Sequence, residues 1–257
     1  MFKYYFVITS LPKLSFTQRA DIIFDEVIRL LELNLSQSDL NKINAFRTFI
    51  DIMNLRKIWQ NKEIDHRGNL NENELKDQML IQDVLYDFVF EYMQKYESSE
   101  ARLKNFCYLT ANFFNYVINN SNGFLKKYFS FIREYRLILT ALRAKNLNKD
   151  IVKELEFEDL TSNFVEYILA QKDSPELQVP MEYEELKKIY LNNKNDPKNL
   201  HFLLLQYQFN EIDKMMDDKP FTIDQILAYF AQLLLIEDYQ SLNVEKGKEK
   251  LDSLIEG

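Results

Sequence analysis

GFLKKYFSFIREYRLILTALRAK, residues 123–145, opens on a glycine that ends an asparagine-rich stop and then runs about six helical turns with no further glycine and no proline. Tyr128, Phe129, Ile132, Tyr135, Leu139 and Leu142 recur every three or four residues along it, the apolar face of an amphipathic helix. Upstream, Ser98-Ser99 starts a long element in which Leu103, Phe106, Leu109, Phe113, Tyr116 and Val117 keep the same period until the stop at 119–123. That stop is the best internal module boundary, near 121–123, in what reads as one helical domain over 1–257.

The same patterning extends outward in both directions. Ile22, Ile23, Phe24, Val27, Leu30 and Leu31 predict a helix over about 17–33, and Ser36 and Ser38 cap a second that carries Leu40, Ile43, Phe46, Phe49, Ile50 and Met53 towards Trp59. Residues 61–70 are polar and contain Gly68, which predicts a loop, and Asn71-Glu72-Asn73-Glu74 reads as a capping box opening two short helices that reach Tyr96. Beyond Lys145, short helices are expected near 148–155 and 159–170. Pro180 and Pro197 fit first helical turns, and Thr222-Ile223-Asp224-Gln225 caps a last helix to about Leu242. The expectation is an all-α body of about ten helices with a short extended segment at 3–9. Phe46, Phe49, Asp51 and Leu55 are echoed 83 residues later by Phe129, Ile132, Glu134 and Ile138, a pattern that permits pseudo-repeated helical modules.

Composition supports the same class. The 257 residues are 46% hydrophobic and 14% aromatic, enough for one large core or two small ones, which excludes disorder as a general description. Four glycines and five prolines supply too few turns for a sandwich or barrel. A net charge of −8 opposes binding to a phosphate backbone, so nucleic acid is a poor partner. The single cysteine, Cys107, sits in an apolar-aromatic run and reads as a buried, inert thiol in a cytosolic protein. The amino-terminal apolar stretch is short and lacks a small-residue cleavage site, so it does not read as a signal peptide. The apolar window 226–236 is too short to span a bilayer.

Catalytic and cofactor chemistry finds little to stand on. His66 and His201 have no ligand partners at metal spacing. In the loop at 65–71, Gly68 is misplaced for a calcium site and the terminal glutamate is absent. The glycines at 68, 123, 247 and 257 form no phosphate-cradling loop. Asp213, Asp217 and Asp218 place two carboxylates one turn apart, which would suit magnesium and a diphosphate substrate, but no second acidic motif accompanies them. No cofactor, no metal and no enzymatic activity are therefore expected.

Charge is more informative. Residues 124–146 hold six cations, Lys126, Lys127, Arg133, Arg136, Arg143 and Lys145, against Glu134, a balance of +5 that leaves −13 for the rest. Lys126, Arg133, Arg136 and Arg143 follow one another at spacings of 7, 3 and 7 and share one flank of the helix. Two readings stay open: pairing within this acidic chain, or a surface for a protein partner.

Gly123 to Phe129 followed by Ile138 to Lys145 resembles the signature of the C (also called d) subunit of V-type and A-type ATPases. The chain resembles still more closely a bacterial family of small proteins encoded beside V-type ATPase subunits. Supporting stretches are Tyr4 to Val7 with Leu11 to Phe16, Gly68 to Leu70 with Glu74-Leu75, Ala228-Tyr229 with Ile236-Glu237, and Glu245 to Lys248. The resemblance implies a non-catalytic, funnel-like helical protein. In such an assembly it caps the proteolipid ring on the cytoplasmic face, receives the foot of the central stalk and passes rotation between ATP hydrolysis and ion translocation. Its partners would be the central-stalk and ring subunits, and its place cytoplasmic and peripheral to the membrane. The familiar family member is longer and has three modules. The competing classes are a helical adaptor unrelated to any ATPase and a magnesium-dependent helical enzyme.

Overall fold

The computed structural model describes residues 4–16, 22–81, 85–216 and 220–255. Among them lie thirteen α-helices and one 3₁₀ turn, Met181–Tyr183, and no strand. The helices divide between two compact units, Met1–Leu40 with Glu184–Gly257, and Asn41–Tyr183.

The first unit contains α1 (Tyr5–Ser10), α2 (Phe24–Asn34), α11 (Glu184–Asn193), α12 (Pro197–Met215) and α13 (Ile223–Ile255). Pro197 occupies the first turn of α12 behind the Asp196 cap, whose carboxylate accepts the Asn199 N–H. α11 packs on α12 and α12 on α13, while α1 meets α2 and α13. The exposed donors at the start of α2 find acceptors at two places: the Phe24 N–H donates to Glu237 of α13 at 2.8 Å, and the Ile23 N–H donates to Glu26 at 3.2 Å. Phe16 sets its ring edge-on to Phe202, Phe209 and Tyr239, which fixes the chain after α1 against α12 and α13. The buried carboxylate of Asp39 accepts hydrogen bonds from Ser36 at 2.7 Å and Tyr4 at 3.1 Å.

The chain enters the second unit within α3 (Gln37–Trp59). It continues through α4 (Glu72–Ile81), α5 (Asp87–Lys95), α6 (Ser99–Lys104), α7 (Phe106–Asn120), α8 (Gly123–Asn146), α9 (Ile151–Glu154) and α10 (Asn163–Leu169). α7 and α8 form the main pair, α5 packs on α7, and α9 and α10 pack on α8. Gly123 starts α8 at φ 55°, the left-handed region where a side chain is strained, so the turn between α7 and α8 depends on a glycine. The core of this unit is aromatic: Phe46 and Phe49 from α3, Phe113 and Phe114 from α7, and Phe129 from α8 stack at centroid distances of 5.2 to 6.4 Å. At the echoed acidic positions, Asp51 and Glu134 each hold a returning segment, the loop before α4 in one case and the hydroxyl of Tyr183 at 2.6 Å in the other.

The structure corrects several sequence expectations. The segment expected to be extended at 3–9 is a turn at Tyr4 that leads into helix α1 from Tyr5; Lys3 lies outside the described residues. The hydroxyls of Thr9 and Ser10 bond back to the carbonyls of Tyr5 and Phe6, and Val7 is buried, so local turn bonds and one inward side chain override the aromatic and β-branched preference for strand. The helix expected from about 17 begins at Phe24; residues 17–21 lie outside the described set. The long element after Ser99 is two helices, because Asn105 breaks it and turns its amide onto the Ala101 carbonyl at 2.8 Å. The last helix continues past Leu242 to Ile255. These short and divided elements account for thirteen helices among the described residues where the sequence predicts about ten. The capping box at Asn71 forms as predicted, with its side chain accepting from Asn73 and Glu74 and the Glu74 carboxylate accepting the Asn71 N–H. Among the described residues no helix is long and apolar enough to cross a membrane.

Candidate functional site

The cationic flank of α8 is divided by what covers it. Its four members lie on one side of the helix, but only the middle of that side is overlaid by α9 and the segment after it. There Arg133 donates from Nε and Nη2 to one oxygen of Glu158 at 3.1 and 3.0 Å, the two side chains being 14% and 15% exposed. One turn on, the Arg136 guanidinium lies 5.0 Å from the Phe114 ring centre and donates to Thr110 at 3.4 Å. Burial lowers its pKa, opposed by the nearby charge of Glu158. Lys126 and Arg143, towards the helix ends, are exposed. Lys145 turns away from solvent and donates to the carbonyls of Gln171 at 2.8 Å, Lys172 at 3.2 Å and Ser174, gathering the turn after α10.

Beside Arg136 is a cleft of about 130 Å³ within the second unit. α7 contributes Cys107, Thr110 and Phe114 at spacings of three and four, and α8 contributes Arg133, Arg136 and Thr140 at the same spacings, so each helix lends one face. Residues 154–158 close the third side. Cys107 is exposed, contrary to the expected buried thiol, because Phe106, Leu109, Thr110 and Phe113 take the inward positions of α7. An apolar run in sequence is not an apolar face on a helix.

A buried polar cluster anchors the loop before α4. Asp51 on α3 is 1% exposed and accepts from the Leu70 N–H at 3.2 Å and the Asn69 amide at 3.0 Å. Asn54 exchanges hydrogen bonds with the Asp65 backbone at 2.8 Å each way, and Arg47 donates to the carbonyls of Arg67 and Gly68. Asp65 is taken up by a bidentate pair with Arg67 at 2.9 and 2.6 Å, which gives the acidic spacing of this loop a structural role in place of a calcium site. His66 is exposed.

The cluster makes stability depend on pH. Burial raises the Asp51 carboxyl to about 6, its hydrogen bonds and Arg47 pulling the other way. The folded chain therefore holds that proton more tightly than the unfolded one. The stability contribution is greatest below pH 4, falls as pH rises to about 6, and is level above, a swing of roughly 3 kcal/mol. Asp51→Asn should flatten this part of the stability–pH curve, read by urea unfolding followed through Trp59, the single tryptophan and buried in this unit. Gly68→Ala should destabilise the unit by about 1–3 kcal/mol, since a Cβ there would fall inside contact distance of Asp51 Oδ1, an atom held by the loop it would displace.

In the first unit, Asp213 is exposed and accepts from the Gln232 amide at 2.7 Å; Asp217 and Asp218 of the candidate acidic group lie outside the described residues. Beside it is a cavity of about 270 Å³ with Gln225 and Tyr229 among its walls, and the buried Tyr229 hydroxyl has no hydrogen-bond partner among the described residues. His201 is exposed on α12. Among the described residues no three of His, Cys, Asp and Glu stand together as a metal site. Sequence reasoning singles out Arg133 and Arg136, meets Asp51 only as a position of the echoed pattern, and misses Thr110, Thr140 and Glu158. The threonines are readable from helical spacing to the cysteine and the arginines; Glu158 lies in an irregular segment with no periodic signal.

The chain aligns over 263 residues with an uncharacterized protein of Chlamydia muridarum at 29% identity, covering 100% of this chain and 99% of that one. An uncharacterized protein of Chlamydia pneumoniae is 30% identical over 264 residues, covering 99% and 98%, and one of Chlamydia trachomatis is 28% identical over 240 residues, covering 91% and 90%. No solved structure matches the chain. One family model, described as a protein of unknown function (DUF2764), matches residues 1–257, and the chain belongs to that family.

Proposed function

We propose that this protein is a non-catalytic rotor-stalk component of a V-type ATPase, resembling the C (d) subunit. It would join the central stalk to the proteolipid ring at the cytoplasmic face and be peripheral to the membrane through protein contacts. The observation that carries the reading is the stretch 123–145. The residues that resemble the C (d) signature form one unbroken helix, α8, against which α7, α9 and α10 all pack. A body that passes torque must resist shear, and a long helix locked by aromatic packing and a half-buried ion pair suits that task better than it suits chemistry. Lys126 and Arg143 are the cations of the flank left exposed to meet an acidic partner surface, while Arg133 and Arg136 hold the unit together.

A tagged copy expressed in its native cells should bring down stalk and ring subunits from gently solubilised membranes. Lys126→Glu with Arg143→Glu should weaken that recovery several-fold and leave the Trp59 unfolding curve unchanged, since solvated charges contribute little to stability. Failure of the unaltered chain to recover any ATPase component would leave the unrelated-adaptor reading in its place.

A further inference from the structure

The guanidinium of Arg136 is the one charge lining the cleft of the second unit that no ion pair among the described residues neutralises. Arg133 is matched by Glu158, and Glu154 by Lys149 at 3.2 Å. Arg136 makes the 3.4 Å bond to Thr110 and lies on the face of Phe114, with the charge of Glu158 nearby but not hydrogen-bonded to it, though a guanidinium carries five N–H donors. Thr110 cannot add a donor, because its hydroxyl proton goes to the Cys107 carbonyl at 3.0 Å. Thr140, one turn on from Arg136 along α8, lines the same cleft with its hydroxyl-bearing side chain, and on α7 the exposed Cys107 lines it with a thiol. A half-buried cation with donors to spare, hydrogen-bonding groups on two helices, and room of about 130 Å³ together define a receptor for one small anion.

We propose that the cleft between α7, α8 and residues 154–158 binds a compact oxyanion, a carboxylate or a phosphate, with Arg136 as its counter-charge and Thr140 as a second donor. The site is independent of the rotor reading, since it draws only on groups within the second unit. Glu158 does not fill it: both bonds from Arg133 fall on Oε2 of that carboxylate, and no bond joins it to Arg136. The site selects by size as well as charge, because the Phe114 ring and Leu137 bound it with apolar surface.

Cys107 reports on the site, being the only cysteine in the chain. Its alkylation by anionic iodoacetate and by neutral iodoacetamide can be followed on the full chain by mass spectrometry, with free cysteine as reference. The iodoacetate-to-iodoacetamide rate ratio should exceed that of free cysteine by about fivefold or more, because Arg136 lines the same cleft as Cys107 and has no carboxylate bonded to it, so it draws the anionic reagent. Arg136→Gln should return the ratio to the reference, and Arg136→Lys, which keeps the charge without the fork, should give an intermediate value. Millimolar phosphate or acetate should slow the iodoacetate reaction of the unaltered chain at constant ionic strength. Protection by phosphate alone assigns a tetrahedral ligand, and protection by acetate a carboxylate. A ratio equal to free cysteine, or protection by chloride equal to that by both oxyanions, overturns the proposal. The competition arm needs no variant, so a failure of Arg136→Gln to fold leaves the test intact.

Discussion

Phe129→Ala lowers the stability of the second unit by about 3–5 kcal/mol, the loss expected for truncating a fully buried aromatic of its core. Phe129 is 1% exposed and its ring meets those of Phe46 at 5.5 Å, Phe113 at 5.6 Å and Tyr128 at 5.2 Å, so it joins α3, α7 and α8 at one point. Removing the ring takes away its transfer free energy and leaves a void lined by rigid aromatic neighbours that cannot collapse into it. Phe129→Leu, which fills much of the void, should recover a good part of the loss. Denaturant unfolding read by Trp59 reports on this unit directly, and a shift under about 1 kcal/mol for Phe129→Ala would mean the aromatic cluster is not the core.

Arg133→Glu has an effect of similar size by a different route. The change places a second carboxylate against Glu158, where both partners are largely shielded from water, so attraction lost becomes repulsion gained at a cost of about 3–5 kcal/mol. The swap Arg133→Glu with Glu158→Arg restores the pair with reversed sense and should recover most of the stability, whereas Glu158→Gln alone should be milder than Arg133→Glu. If Arg133→Glu leaves the Trp59 unfolding curve in place, the pair is a solvated contact and α8 is not held by it. Charge reversal at Arg133 therefore tests the fold, and only Lys126 and Arg143 test a partner surface cleanly.

Most helices are legible in the sequence because their apolar residues keep the helical period, and α8 most of all. Where one side chain or one turn decides, legibility ends. Tyr5 to Ser10 has the composition of a strand, and it is helical because Val7 is taken into the first unit and two hydroxyls close the turn. Asn105 divides a pattern that runs through it without a break in apolar spacing. The neighbours of Cys107 in sequence suggest burial, while its exposure is set by its angle on α7. Spacing finds the cationic flank, yet which cations face solvent depends on the cover laid by residues 154–158, and nothing in a periodic pattern specifies where an irregular segment will lie. The Asp51 cluster has a readable component, the capping box at Asn71 and the polar loop before it. What is not readable is the long-range acceptance of the Leu70 N–H by a carboxylate nineteen residues upstream.

If this chain sits on the axis of a rotary ATPase, as proposed, its copy number in the intact complex is the most direct test. A body that caps a ring and receives a single stalk has room for one copy. Native mass spectrometry of the V-type ATPase, purified through one of its catalytic subunits from cells that make this chain, should find one copy per complex, lost together with the ring when the stalk is detached or retained on it. Complete complexes that lack the chain, or that carry two or more copies, would contradict the account.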